Sequence, residues 1–263
     1  MATNTPAVFF RGNPAYGSTN VQRTVTTAAL TSNLVTLTFG SNHGLSQVGT
    51  LISVQGVGAS YDGLFPVHSF PGLNTATYVV TTGNIASASV TPNGSAIFNT
   101  GVTIGGSLSN VAIVNFNGIA TAGSPHGLAI GDIVNINTGQ TGANGMFVVN
   151  AVPSTTLFTF SSGTQTLAST ALTQGAFGKY PDVYTLAGST NGIVTNGVFA
   201  NPTANPATVA LTIDNDAVAK QFTIAANSSS FFDIKQYFPT GQKISVGSSI
   251  PQIDCQVSGI TIV

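Results

Sequence analysis

Apolar residues alternate with Thr, Ser and Asn along most of this chain. Turn residues interrupt the alternation roughly every 8–12 positions, the pattern of short antiparallel strands. In Val209-Ala-Leu-Thr-Ile213 the odd positions are apolar while Thr208 and Thr212 face the other way, as in a strand with one buried face. Such runs at Val183–Leu186, Ile193–Phe199, Ala207–Ile213, Phe222–Ile224, Phe231–Ile234, Lys243–Val246 and Ile253–Ile262 predict an antiparallel β-sandwich over residues 179–263. One stretch, Phe232-Asp-Ile-Lys-Gln-Tyr-Phe238 ahead of Pro239, reads as a short helical turn.

The middle of the chain repeats itself. Leu34-Val-Thr-Leu-Thr-Phe39, His43-Gly44-Leu45, Gly49–Val54, Asp62-Gly63-Leu64-Phe65 and Pro71 are answered by Val111–Phe116, His126-Gly127-Leu128, Gly131–Ile136, Asn144-Gly145-Met146-Phe147 and Pro153. The offset is about 80 residues, longer than a solenoid or propeller unit, so each copy is expected to be a small β-barrel or sandwich with its own core. The copies span residues 28–100 and 101–178. Alternation assigns Ile133, Asn135 and Ala143 to one face and Val134 and Ile136 to the other, and Asn144-Gly145 is a strong hairpin signal.

The N-terminal arm, residues 1–27, is strand-like at Pro6–Gly12 and Val21–Thr26 but too short to bury its own Phe9 and Phe10. Burying two Phe is worth roughly 3–6 kcal/mol, so Phe9, Phe10 and Arg11 mark an arm that needs a host sheet. Either it completes the 179–263 sandwich, with both repeats inserted into that sandwich, or it reaches into an adjacent subunit.

Composition removes whole classes of function. Charged residues make up 5% of the chain, six Lys and Arg against seven Asp with no Glu, for a net charge of −1. Exposed helices draw on Glu and Lys, which are nearly missing, so the fold class is all-β. Six scattered cations cannot neutralise a run of phosphates, and nucleic acid is not an expected partner. A mean hydropathy of +0.33 excludes a disordered chain. No secretory signal and no apolar run long enough to span a bilayer is visible, which predicts a protein made in a cytoplasm with no membrane insertion. With so little charge to keep copies apart, a homo-oligomer is expected, a trimer or a ring of higher order.

Chemically reactive patterns are sparse. His43 and His126 recur in matching His-Gly-Leu turns, but one His per repeat supplies one ligand. The turn His43, Gly44, Leu45 and its copy His126, Gly127, Leu128 are therefore read as structural. His68 has no counterpart and reads as a strand residue. Asp214-Asn215-Asp216 resembles a fragment of a calcium loop but lacks the remaining ligands and reads as a hairpin turn. Lone Cys255 permits no intrachain disulfide. Nucleophile-elbow, zincin and phosphate-loop motifs are missing. No catalytic residue, metal or cofactor is expected, and the chain reads as a non-enzyme.

The repeat core His-Gly-Leu, then Gly-x-x-Ile/Val-x-Ile/Val, Asn/Asp-Gly-x-Phe and Pro, resembles a small β-domain of tailed-bacteriophage virion proteins. The stretch from Tyr184 (Tyr-Thr-Leu-Ala-Gly-Ser-Thr-Asn-Gly-Ile-Val, later Gly-Gln-Lys-Ile-Ser-Val) is similar to a phage tail or surface β-sandwich, with Leu186-Ala187 where those proteins often carry Pro. The resemblance implies a virion structural protein, a minor tail, fibre or capsid decoration component, localised to the virion and partnered by itself and other virion proteins. The alternative is a host-attachment protein that binds cell-surface glycans.

Overall fold

The computed structural model describes residues 4–15, 20–81, 85–89, 94–99, 103–188 and 190–263, and the described elements are all strands. The fold is all-β: an antiparallel sandwich and two small β-repeats. They form two compact units, Met1–Ser18 with Gly131–Ile133 and Tyr180–Val263, and Thr19–Ile130 with Val134–Lys179.

In chain order, β1 (Asn4–Gly12) belongs to the sandwich unit. The first repeat follows with β2 (Asn20–Thr31), β3 (Leu34–Phe39), β4 (Leu51–Gln55), β5 (Gly63–Pro66), β6 (Ser69–Gly72), β7 (Thr75–Val79), β8 (Ile85–Ser89) and β9 (Ser95–Asn99). Residues 21–26, which sequence alone groups with the arm, are thus part of the opening strand of the first repeat. The second repeat contains β10 (Gly105–Val114), β11 (Asn117–Ala122), β12 (Ile133–Asn137), β13 (Gly145–Ser154), β14 (Leu157–Ser161) and β15 (Thr166–Lys179).

The second repeat closes as a barrel in the order β10-β11-β14-β13-β12-β15, and the first runs β5-β4-β9-β2-β3-β7-β6. The orders correspond if β13 stands for β5 and β6 together, which the loop at Val67-His68 separates, and if β15 stands for β8 and β9. By this order Leu34–Phe39 matches Asn117–Ala122, not Val111–Phe116. The slip has a physical cause: β10 and β11 are two arms of one hairpin with the same alternating texture. His68 accordingly lies in a loop and not in a strand.

The tight hairpins use residues other than Gly. Ser32-Asn33 (φ 51 and 64) joins β2 to β3, and Asn115-Phe116 (φ 50 and 66) joins β10 to β11. Two consecutive left-handed residues match the twist of the flanking strands. Asn144-Gly145 is not such a turn. It closes the longer loop 138–144, where Asn144 Oδ1 accepts from Thr138 N at 2.6 Å and Thr138 Oγ1 at 3.0 Å. Asp62 does the same work in the first repeat, accepting from the backbone of Gly56, Val57 and Gly58.

Each repeat has its own core, one centred on Val35, Leu37, Tyr78 and Phe98, the other on Val111, Ile136, Phe158 and Phe177. Strand β12 does not alternate: all five of its residues are buried. The first repeat covers its second face, for Asn135 Nδ2 donates to Leu64 O at 3.2 Å and Asn137 Nδ2 to Val79 O. The repeats also meet backbone to backbone. Gly49 has φ +86, and a Cβ there would stand 2.2 Å from Phe177 O and 2.5 Å from Gly105 Cα.

The sandwich adds β16 (Asp182–Thr185), β17 (Asn191–Asn201), β18 (Ala207–Ile213), β19 (Asp216–Ile224), β20 (Ser228–Phe238), β21 (Lys243–Ser248) and β22 (Asp254–Ile262). Its two four-stranded sheets run β1-β22-β17-β20 and β16-β21-β18-β19. Between them lie Val194, Phe199, Val209, Leu211, Ile244, Val246, Val257 and Phe9. Residues 232–238 are strand, not a helical turn, because β20 pairs along its length with β17 from Gly192↔Phe238 to Asn201↔Ser228. Alternation of Ile234 and Phe238 inward with Asp233, Lys235 and Tyr237 outward outweighs the weak helical spacing.

Candidate functional site

His43 and His126 play one role twice. Leu45 N donates to His43 Nδ1 at 2.9 Å, and His43 Nε2 faces Gly72 O at 3.0 Å. Leu128 N donates to His126 Nδ1 at 2.9 Å, and His126 Nε2 faces Ser154 O at 3.1 Å. Because Nδ1 accepts, the ring proton sits on Nε2 and both nitrogens are used. Gly44 and Gly127 follow at φ 73 and 67, a backbone region costly for other residues. Each imidazole is buried and bridges its bend to the strand end at Gly72 or Ser154. Nothing of it is left for a substrate.

Asp132, near His126 in sequence, is engaged elsewhere. Its Oδ1 lies 3.2 Å from Lys243 Nζ, which is also 3.2 Å from Asp182 Oδ2, and Ser245 Oγ donates to Asp182 Oδ1 at 2.7 Å. A lysine held between two carboxylates, one of them buried, pins β21 to β16 and to residues 131–133. Such a group keeps its place only if its partners stay. Asp214 and Asn215, at φ 52 and 67, form the β18–β19 turn, and Asp216 opens β19 opposite Ile213. Among the described residues, no group of three His, Cys, Asp or Glu could hold a metal ion. Cys255 is buried, and burial, with Asp254 beside it, pushes its thiol up to about 12.

The arm and the sheet it joins carry the unusual surface. β1 pairs antiparallel with β22, with Val8 opposite Ser258 and Phe10 opposite Val257. Phe9 is therefore the extra residue of a bulge. The bulge turns Phe9 into the core against Tyr184 and Phe238, leaves Phe10 half-buried, and sends Val8 and Arg11 outward.

On the outer face of this sheet, register lines side chains into rows. Pro6 stands opposite Ile260, Ile260 opposite Ile193, and Ile193 opposite Tyr237. A second row runs Arg11, Gln256, Val198, Phe231. Val8 lies between the rows. Phe231 is 67% exposed, Val8 60% and Tyr237 52%. A depression of about 400 Å³ opens along the second row, lined by Arg11, Gly12, Val198, Ala200, Asp254, Cys255 and Gln256.

No family model matches this chain. No curated protein matches it either. Among solved structures it is similar to the phage phi92 endosialidase, at 15% identity and a TM-score of 0.27 over 69% of this chain and 30% of that one. A second likeness is the insecticidal delta-endotoxin Cry8Ea1 from Bacillus thuringiensis, at 9% identity and a TM-score of 0.18 over 97% of this chain and 54% of that one. The chain spans less than a third of the endosialidase and about half of the endotoxin. Superpositions this loose carry no argument about function.

Sequence reasoning singles out Phe9, Phe10 and Arg11 but misses the face around them. The signal is present in β20, where Phe231 and Tyr237 share the phase of Asp233 and Lys235. Reading 228–238 as a strand places both aromatics on the polar side.

Proposed function

We propose that this chain is a structural component of a tailed-phage virion, in the tail or on the capsid surface, acting through protein–protein contacts as a homo-oligomer. One observation carries the assembly part: the outer face of the β1-β22-β17-β20 sheet, with Val8, Phe231 and Tyr237 in water on a nearly uncharged protein. Apolar side chains gathered on one sheet face, the row Pro6, Ile260, Ile193 and Tyr237 among them, mark a contact with another macromolecule. The virion part is supported by the His-Gly-Leu repeats and the Tyr184 sandwich stretch, which resemble phage virion domains. Purified particles of the encoding phage should contain the chain at fixed stoichiometry by quantitative mass spectrometry. A Phe231→Asp variant supplied in its place should be excluded from them. Particles that lack the chain, or that take up the variant at wild-type level, would remove this reading.

A second reading, attachment to host glycans, has one observation in its favour. A cleft of about 180 Å³ in the repeat unit is lined by Asn33, Thr138, Gln140, Thr173 and Gln174, whose amides and hydroxyls suit sugar hydroxyls. Glycan-array binding that is lost in Gln140→Ala would favour it.

A further inference from the structure

We propose that the outer face of the β1-β22-β17-β20 sheet is covered by the same face of a second copy of this chain, about a two-fold axis parallel to the strands. The proposal rests on the assembly reading in that both require this face to be covered.

The two halves of the face differ, and each holds what the other lacks. The β20 half carries projecting aromatics, Phe231 and Tyr237. The β1 and β22 half carries Pro6, Arg11 and most of the depression, whose lining runs from Arg11 through Asp254 and Gln256 to Val198 and Ala200 on β17. Strand order in the sheet is β1-β22-β17-β20. An axis parallel to the strands, between β22 and β17, swaps β20 with β1 and β17 with β22 while keeping every row level. Phe231 of one copy then meets Arg11 and the depression of the other, a ring against a guanidinium beside a hole able to receive it. Tyr237 meets Pro6, and Ile193 meets Ile260, because each pair already shares a row. Such an isologous contact makes each of these pairings twice.

Charge agrees. The exposed charges on the face, Arg11 and Lys235 against Asp233 and Asp254, balance in sign, and the axis sets Asp233 of one copy over Val8 of the other with Lys235 of its own strand beside it. Four strands about 4.8 Å apart and about eight residues long give a footprint on the order of 500 Å² before side-chain relief. That is close to what is needed for the roughly 800 Å² of accessible surface per partner in a standard interface. Two sheets packed face to face within about 30° of alignment are a common arrangement. Composition alone suggests a trimer or a ring; this face favours a pair.

Sedimentation velocity of the full chain at tens of micromolar tests it. The wild type should sediment as a dimer. Val8→Asp and Phe231→Asp should weaken association at least tenfold with unchanged far-ultraviolet circular dichroism. Leu73→Asp, at an equally exposed apolar side chain in the repeat unit, should leave it unchanged. A chain carrying R11C and F231C together should, on mild oxidation, stop at covalent dimers on a denaturing gel. A monomeric wild type, or a dimer indifferent to both Asp variants, overturns the proposal. A ladder of trimers and longer species, or no cross-link at all, overturns the two-fold geometry. Failure of the assembly reading is separately visible, as uptake of Phe231→Asp into particles.

Discussion

Phe9 stands edge-on to Phe238, ring centroids 5.3 Å apart at 82°, although one lies in the first strand of the chain and the other near its end. This contact ties the N-terminal arm into the sandwich core, with the whole repeat unit inserted between β1 and β16. Connections of that length are tolerated because loop-closure entropy grows slowly with length. Phe9→Ala should cost about 3–5 kcal/mol, as for other buried Phe truncations. Urea unfolding followed by a probe in the sandwich checks it, and a loss under about 1 kcal/mol would mean that the arm is dispensable.

Gly44 and Gly49 have the same sign of φ but different surroundings. Gly44→Ala should cost about 1–2 kcal/mol, the penalty of a left-handed residue, since a Cβ at Gly44 would meet nothing within 4 Å. Gly49→Ala should cost well over that, because the added methyl would overlap Phe177 O and Gly105 Cα, both backbone. Thermal unfolding of the two variants side by side measures the difference.

His68 supplies a pH dependence. It is half-buried, its Nδ1 has no hydrogen-bond partner among the described residues, and burial lowers its pKa. A group whose folded pKa lies below its unfolded value of about 6.5 contributes full stability above that value and loses it as the pH falls. Melting temperature of the wild type relative to His68→Asn should therefore be level above about pH 7 and decline below about pH 6.5. A constant difference from pH 8 to pH 5 would contradict this.

Cys255 should be inert in the folded chain. With its thiol pushed up to about 12 and its side chain buried, almost no thiolate exists at pH 8. Alkylation at that pH should proceed only as the sandwich unfolds, so its rate should rise with urea along the unfolding curve. Rapid labelling without denaturant would contradict the burial of β22.

The all-β fold, the paired repeats and the arm's need for a host were legible because alternation, turn residues and stranded aromatics act over a few residues. What stayed hidden depended on partners distant in the chain. Both faces of β12 are buried because the first repeat lies against it, and nothing within Ile133–Asn137 states that. Ser32-Asn33 and Asn115-Phe116 form tight turns without Gly, while the conspicuous Asn144-Gly145 closes a longer loop around Thr138. The rows of side chains across β1, β22, β17 and β20 exist only once register is known, since Pro6 and Ile260 come from opposite ends of the chain.

The proposed virion role is tested most directly by electron cryo-microscopy of purified phage particles whose genome carries the gene for this chain, at a resolution that shows side chains. The expected density is this chain at a regular structural position, with Val8, Phe231 and Tyr237 buried against another protein chain. Particles without that density, or with the β1-β22-β17-β20 face bare to solvent, would contradict a structural role through this surface.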